Sequence, residues 1–371
     1  MLVLGIESSC DETAAALVRD GREVLSNVVA SQVAIHARFG GVVPEVASRA
    51  HAECVSRIVQ EALTAGARGE GLGASENAAG RPSFPAPRPS SFAPHPDAIA
   101  VTVRPGLAGS LLVGTSAASA LALAWDLPIV GVHHLHAHAY APYLAGVAEY
   151  PFACLVASGG HTSIYECRGP LEVELVGQTI DDAAGEAFDK AAAVLGLGFP
   201  GGPAVSRAAA AGNPRAYDFP RSKLADEDDD FSFSGLKTAL LYAVEGPGMK
   251  GPRLELTDKA RADLAASFEQ AVCEVLAGKL LRAAARRGLG TVSVAGGVAA
   301  NRKLRAMLAE RAAAEGMKAA VAPAEFCTDN AAMIAGLGHH LLTRGKGCGP
   351  DRLKLEIAPQ LERPSRKERR K

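Results

Sequence analysis

Five of the ten histidines lie between positions 133 and 161. His134 and His138 are four residues apart, so on a helix over 135–144 they share one face with Cβ atoms about 5–6 Å apart, close enough to hold one metal ion. The bland alternative is a pair of ordinary surface or core histidines. A metalloprotease of the HExxH type fits poorly, because Leu135 occupies the place of its general base. A third ligand has to come from elsewhere in the chain. Asp329, at the start of an apolar helix, offers either that carboxylate or an N-cap for the helix amides. Two histidines and one carboxylate with open positions suit Fe(II), and Zn(II) takes the same donors.

A second kind of chemistry is suggested by glycine. Ser158-Gly-Gly-His-Thr162 lies between two apolar strands, and its glycines leave backbone amides free to approach an anion. Gly201-Gly202 and Gly296-Gly297 are two more such turns, and three at strand or helix ends point to a phosphate or nucleotide cleft. Asp189 offers an acceptor for ribose hydroxyls, or a helix-surface salt bridge. Asn301 offers an amide to an adenine or ribose edge, or an N-cap. Asp11 and Glu12, on the first turn of the chain, could steer a metal-bound or amine substrate, or simply be solvated. Neither a GxSxG nucleophile elbow nor a P-loop lysine motif occurs, which disfavours acyl-enzyme and Walker-type chemistry.

Positioning these residues requires strands that end in turns. Met1 to Ile6 and Ala14 to Val18 read as strands flanking a polar turn, and Phe152 to Ala157 and Ser163 to Cys167 repeat that grammar about 150 residues later. The repeat predicts an internally duplicated α/β protein. Helical spacing over Pro44 to Leu63, a strand at Asp97 to Val103, a long helix over Lys259 to Arg287 and a buried strand at Thr291 to Ala295 fill out the two halves.

At 371 residues, with 48 % apolar and 21 % charged residues, the chain has the balance of a globular enzyme of two lobes. Seven dispersed cysteines without a CxxC pair argue against a disulfide framework and for a reducing cytosol. Glu7 and the lack of a basic opening argue against a signal peptide. Pro105 to Trp125 is uncharged and long enough to suggest a membrane helix. Its Gly, Ser and Thr content and its passage into the strand-like Pro128 to Val132 weigh against that reading, so no membrane partner is expected. A net charge of -1 supplies no overall field for nucleic acid. Residues 66–96, rich in Gly, Ala, Ser and Pro, read as a flexible surface insertion. Asp226 to Asp230 reads as a solvated acidic loop, and the basic residues from Arg363 to Lys371 as a local patch or a solvated terminus.

Nine motifs in order carry a family resemblance. They are Gly5-Ile-Glu-Ser-Ser-Cys-Asp-Glu-Thr13, Pro105-Gly-Leu107, His134-x-x-x-His138, Ser158-Gly-Gly-His-Thr162, Asp181 to Lys190, Pro200 to Pro203, Phe233 to Lys237, Gly296-Gly297 with Asn301, and Asp329-Asn-Ala331. Together they resemble the tRNA adenosine threonylcarbamoyltransferases, once described as O-sialoglycoprotein endopeptidases. The resemblance spans nearly everything outside residues 66–96 and the basic tail.

The resemblance implies an actin-like, hexokinase-like (ASKHA) fold of two lobes around a nucleotide cleft. Lobe I would span 1–145 with a return at about 319–345, lobe II 151–318, and a basic tail 346–371. It implies transfer of threonylcarbamoyl from threonylcarbamoyl-adenylate to N6 of adenosine 37 in tRNAs reading codons that begin with A, with release of AMP. His134, His138 and Asp329 would hold the metal. Val156, Ala157, Ser158, Gly159, Gly160, Asp189, Gly202 and Asn301 would line the adenylate pocket, and Asp11 and Glu12 would stand beside the reacting group. A scaffold paralogue and a small P-loop ATPase would be partners in the cytoplasm. Arg104, His133 and His136 depart from the family's usual glycine, asparagine and acid, which puts the surroundings of the metal in question. The alternative is a carbamoyltransferase that uses carbamoyl-adenylate on a small or protein acceptor.

Overall fold

The computed structural model describes residues 1–68, 95–222, 228–246, 254–349 and 355–360, and the backbone of 71–74. Most of the insertion, Asp226 and Glu227 of the acidic run, and the basic residues from Arg363 onward lie outside the described residues. The chain forms two compact units, Met1–Ala145 with Thr328–Lys371, and Gly146–Cys327.

The first unit opens with an antiparallel meander, β1 (Leu2–Glu7), β2 (Glu12–Arg19) and β3 (Glu23–Ser31). A short helix α1 (Val33–His36) precedes the long α2 (Pro44–Arg68), and β4 (Gly71–Ala74) then pairs in parallel with β3. This β4 pairing and the extension of α2 to Arg68 place the first residues of the expected insertion in regular structure. β5 (Ala98–Arg104) lies parallel to β1, α3 (Ala108–Trp125) follows, and β6 (Ile129–His133) runs parallel to β5 into α4 (His134–Leu144). Leu4, Ile6, Leu17, Ile58, Ile99 and Val101 form the core, each fully buried. α3 is the one helix among the described residues long and apolar enough to cross a membrane, and a third of it is buried. It packs on β5 and α2.

The second unit repeats the plan. β7 (Phe152–Ala157), β8 (Thr162–Gly169) and β9 (Glu172–Gln178) form an antiparallel meander, followed by α5 (Ala184–Leu195), α6 (Gly201–Ala209), α7 (Ser234–Glu245) and α8 (Asp258–Arg286). β10 (Thr291–Ala295) is parallel to β7, α9 (Arg302–Ala314) follows, and β11 (Lys318–Ala319) is parallel to β10, before the single turn α10 (Ala324–Cys327). In both units the first strand of a three-stranded meander pairs with a fourth, and the fourth with a fifth. The duplication predicted from two hairpins is therefore present as a shared strand order. α8 is buried along most of its length, with Phe268 edge-on to Phe188 at 5.7 Å.

The chain returns to the first unit later than the expected 319. β11 pairs with β10, and the Arg305 guanidinium donates to the Ala322 carbonyl at 3.2 Å, which keeps this stretch in the second unit through Cys327. α11 (Ala331–Thr343) then packs on β1, its Ala331 carbonyl so close to Gly5 that any Cβ there would collide. Nor is the stretch from 346 a free tail throughout. Cys348 and Ile129 exchange backbone hydrogen bonds of 2.8 and 2.9 Å, and the Ala358 amide donates to the Val103 carbonyl at 3.0 Å. All seven cysteines are free thiols.

Candidate functional site

In the first unit, β6 runs directly into α4, so the helix opens on His134 and places His138 one turn later on the same buried face. Asp329 precedes α11. The neighbouring Asn330 is the cap of that helix, its Oδ1 accepting the Met333 amide at 3.0 Å. That division of labour turns Asp329 to the histidines, with Oδ1 3.0 Å from His138 Nε2 and 3.5 Å from His134 Nε2. One ligand atom from each of the three residues lies within 4.8 Å of the others. Edges of 3.0 and 3.5 Å are close to those expected of donors about 2.1 Å from a common centre, so the donor set fits a divalent ion.

The far side of His134 is held as well. Its Nδ1 lies 2.9 Å from Glu7 Oε2 and 3.2 Å from Ser9 Oγ. Thr102 Oγ1 donates to the same Glu7 oxygen at 2.7 Å, and the Ser9 amide donates to the other at 2.5 Å. An ionised Glu7 only accepts, so Nδ1 carries a proton and Nε2 is the ring nitrogen turned toward Asp329. Burial works against a charge on His134, yet Glu7 and Asp329 push its pKa up to about 9. Burial likewise opposes ionisation of Glu7, but the attraction of His134 holds it below the usual carboxylate value. Two acids facing a buried histidine call for a cation, and a metal ion would displace the proton from Nε2.

Asp11 and Glu12 follow β1 at the turn into β2. Loss of solvation first, and then the charges of Asp11 and Asp329, raise Glu12 well above the ordinary carboxylate range. His51 of α2 steadies this turn, with Nε2 donating to the Cys10 carbonyl at 3.0 Å and Nδ1 2.7 Å from Thr13 Oγ1. Two of the residues that depart from the family pattern, His133 and His136, stack on each other with ring centroids 4.1 Å apart, and neither joins the metal-ligand group. Arg104 sits beside His133 in the β5–β6 register, and His136 is depressed to about 4 by burial and by the Arg104 charge.

In the second unit, Val156 and Ala157 are buried at the end of β7, and Ser158 to His161 make the turn into β8. The Ser158 amide donates to the His161 carbonyl at 2.8 Å, and the His161 amide donates back to Ser158 Oγ at 3.2 Å. Side chains built on Gly159, Gly160, Gly202 or Gly297 would meet nothing within 4 Å, so these backbones border open space. Gly185, at the start of α5, has no room for a Cβ, because the Gly159 backbone stands 2.8 Å from where it would sit. Asp189 accepts the Gly201 amide at 2.7 Å and so joins α5 to the start of α6. Lys190 pairs instead with Asp182 and Glu186, at 2.8 Å each. Asn301 is the cap of α9, its Oδ1 taking the Leu304 amide at 2.9 Å. Asp181 accepts from Ser232 Oγ at 2.5 Å, Ser234 Oγ at 2.8 Å and the Phe233 amide at 2.8 Å, which ties the Phe233 to Lys237 segment to the start of α5.

Sequence reasoning did not find Glu7, Ser9, Thr102 and His51 as supports. Glu7 enters there only as an acid that argues against a signal peptide and as part of the first motif; its place at the end of the apolar run from Met1 to Ile6 was the signal available.

Two α/β units of the same strand order make the fold of the sugar kinase, Hsp70 and actin class. Solved structures of low sequence identity agree on the fold. Full-length HypF in the phosphate- and nucleotide-bound form matches with TM-score 0.56 and 14 % identity over 92 % of this chain and 55 % of that one. HypF from T. kodakarensis matches with TM-score 0.56 and 16 % identity over 93 % and 48 %. The family model described as tRNA N6-adenosine threonylcarbamoyltransferase matches residues 23–67 and 93–336. Proteins of that name from Syntrophotalea carbinolica and Anaeromyxobacter dehalogenans are 49 % and 51 % identical, over 93 % of both chains in the first case and 94 % and 96 % in the second. The chain belongs to the tRNA N6-adenosine threonylcarbamoyltransferase family.

Proposed function

We infer that this chain transfers the threonylcarbamoyl group of threonylcarbamoyl-adenylate to N6 of adenosine 37 in tRNAs that read codons beginning with A. Family membership across most of the chain carries this reading, and the His134, His138 and Asp329 cluster supports it. In the reaction the N6 lone pair attacks the carbamoyl carbonyl carbon, the bond from that carbon to the phosphate oxygen breaks, and AMP leaves with the bonding electrons. N6 then loses a proton, for which Asp11 and Glu12 are the carboxylates at hand.

His134, His138 and Asp329 would hold Fe(II), or Zn(II) on the same donors. When bound, such an ion supplies Lewis-acid polarisation of the carbamoyl carbonyl or the adenylate phosphate. Glu7 fixes the tautomer and direction of His134. The Val156 to Gly160 turn, Asp189 and Gly202 are the residues assigned to the adenylate, with glycine amides facing its phosphate, and Asn301 stands beside them with both amide hydrogens taken by Ser206 and Glu269. Adenosine 37 has to be presented unstacked, since a stacked base cannot bring N6 to the carbonyl. A scaffold paralogue and a small P-loop ATPase are the expected partners, in the cytoplasm.

The test supplies purified chain and partners with fresh threonylcarbamoyl-adenylate and tRNA. Threonylcarbamoyl-adenosine at position 37, and none when position 37 is guanosine, is the expected outcome. An unmodified tRNA, together with carbamoylation of a small acceptor from carbamoyl-adenylate, would instead establish the alternative.

A further inference from the structure

The Asn301 amide is fully engaged inside the fold. Besides capping α9, it donates from Nδ2 to Ser206 Oγ at 3.1 Å and to Glu269 Oε1 at 2.8 Å. An amide nitrogen has two hydrogens, so no donor remains for a ligand. Ser206 in turn donates its hydroxyl to the same Glu269 oxygen at 2.6 Å. One carboxylate oxygen therefore gathers α6, α8 and the start of α9.

The other oxygen is differently placed. Glu269 is only 5 % exposed, and among the described residues none donates to its Oε2. An ionised carboxylate accepts about four hydrogen bonds, so this oxygen keeps its lone pairs for donors from outside the fold. Gly202 lies one turn before Ser206 on α6, and the space its Cβ would take is open, as is that at Gly297. A carboxylate tied to Ser206 and Asn301, the neighbours of these glycines on α6 and before α9, repels phosphate and attracts hydroxyl or amino donors. Of the groups on a nucleotide, the ribose diol alone presents two hydroxyl donors side by side.

We propose that Glu269 accepts the ribose hydroxyls of the adenylate through Oε2, and that Asn301 and Ser206 are positioning residues that fix its Oε1. This rests on the reading of the second unit as the adenylate-binding half. Nothing in the sequence marks Glu269, which sits within a long helix with no motif around it.

Calorimetric titration of the full chain with AMP, 2′-deoxy-AMP, 3′-deoxy-AMP and inosine monophosphate tests it. Wild type is expected to prefer AMP to a deoxy analogue by roughly 10–100-fold, the range of a hydrogen bond to a charged group, and to bind inosine monophosphate like AMP. Glu269→Gln should bring AMP and the deoxy analogues together. Glu269→Asp, which keeps the charge but withdraws it by one methylene, should shrink the preference in part and carries the test if the glutamine variant does not fold. A preference unchanged in the folded variants overturns the proposal alone. So does a variant effect confined to inosine monophosphate, which would move the contact to the base. Wild type that binds no AMP would remove the adenylate reading itself, a result distinct from either.

Discussion

The Nδ1 of His134 stands 2.9 Å from Oε2 of Glu7, a fully buried carboxylate at the end of β1. Through this contact the first strand of the fold decides which ring nitrogen of His134 faces Asp329. The two elements are far apart in sequence, and β5, which supplies Thr102 to the same carboxylate, lies beside β1 in the sheet.

Glu7→Gln should therefore weaken metal binding without removing a ligand. An outer partner of a ligating histidine is typically worth 10–100-fold in metal affinity, and a chelator competition titration reads that loss directly. An affinity equal to wild type would show that Glu7 does not orient His134. Metal removal from wild type should also lower the melting temperature, since a ligand at about 100 times its Kd adds about 2.7 kcal/mol.

Asp329 shows how far the sequence could be read. Two cap-type residues, Asp329 and Asn330, stand side by side before an apolar run, and composition cannot say which one turns inward. Only the backbone course, set by the packing of Ala331 against Gly5, makes Asn330 the cap. Long or sharply punctuated elements were legible, as with β1, β7, α8 and the strand ending at Gly296. The boundary at Cys327 was not, because it depends on the two-residue pairing of β11 and on Arg305, which are tertiary contacts with no local signature. Asn301 was left open between ligand and cap. Its hydrogen bonds show the cap, together with contacts to Ser206 and Glu269 that no spacing rule anticipates.

Gly185→Ala should disturb the Ser158 to Gly160 turn. The added methyl meets backbone of Gly159, which cannot swing aside as a side chain would. Overpacking of this kind costs about 1–3 kcal/mol, and the displaced turn should also bind AMP more weakly. Denaturant unfolding and AMP titration check both effects; a variant as stable and as tight-binding as wild type would show that the turn is not held by this contact.

Acid should expose the role of Asp181. Burial raises its pKa, but the hydrogen bonds from Ser232, Phe233 and Ser234 outweigh that and hold it below the ordinary value. A folded-state pKa below the unfolded one, about 3.9, adds stability that is present above that value and is lost as pH falls through the folded pKa. Asp181→Asn should therefore be less stable than wild type at pH 6 and decline less between about pH 5 and pH 3. Melting curves across that range would contradict this if both proteins fall in parallel.

The most direct measurement is mass spectrometry of nucleosides from tRNA incubated with chain, partners and threonylcarbamoyl-adenylate, comparing wild type with His134→Ala and Asp329→Ala, each assayed for bound metal. The account predicts threonylcarbamoyl-adenosine from wild type, and neither product nor stoichiometric metal in either variant. Product at wild-type level from both variants would contradict the metal site, and no product from wild type with active partners would contradict the transferase.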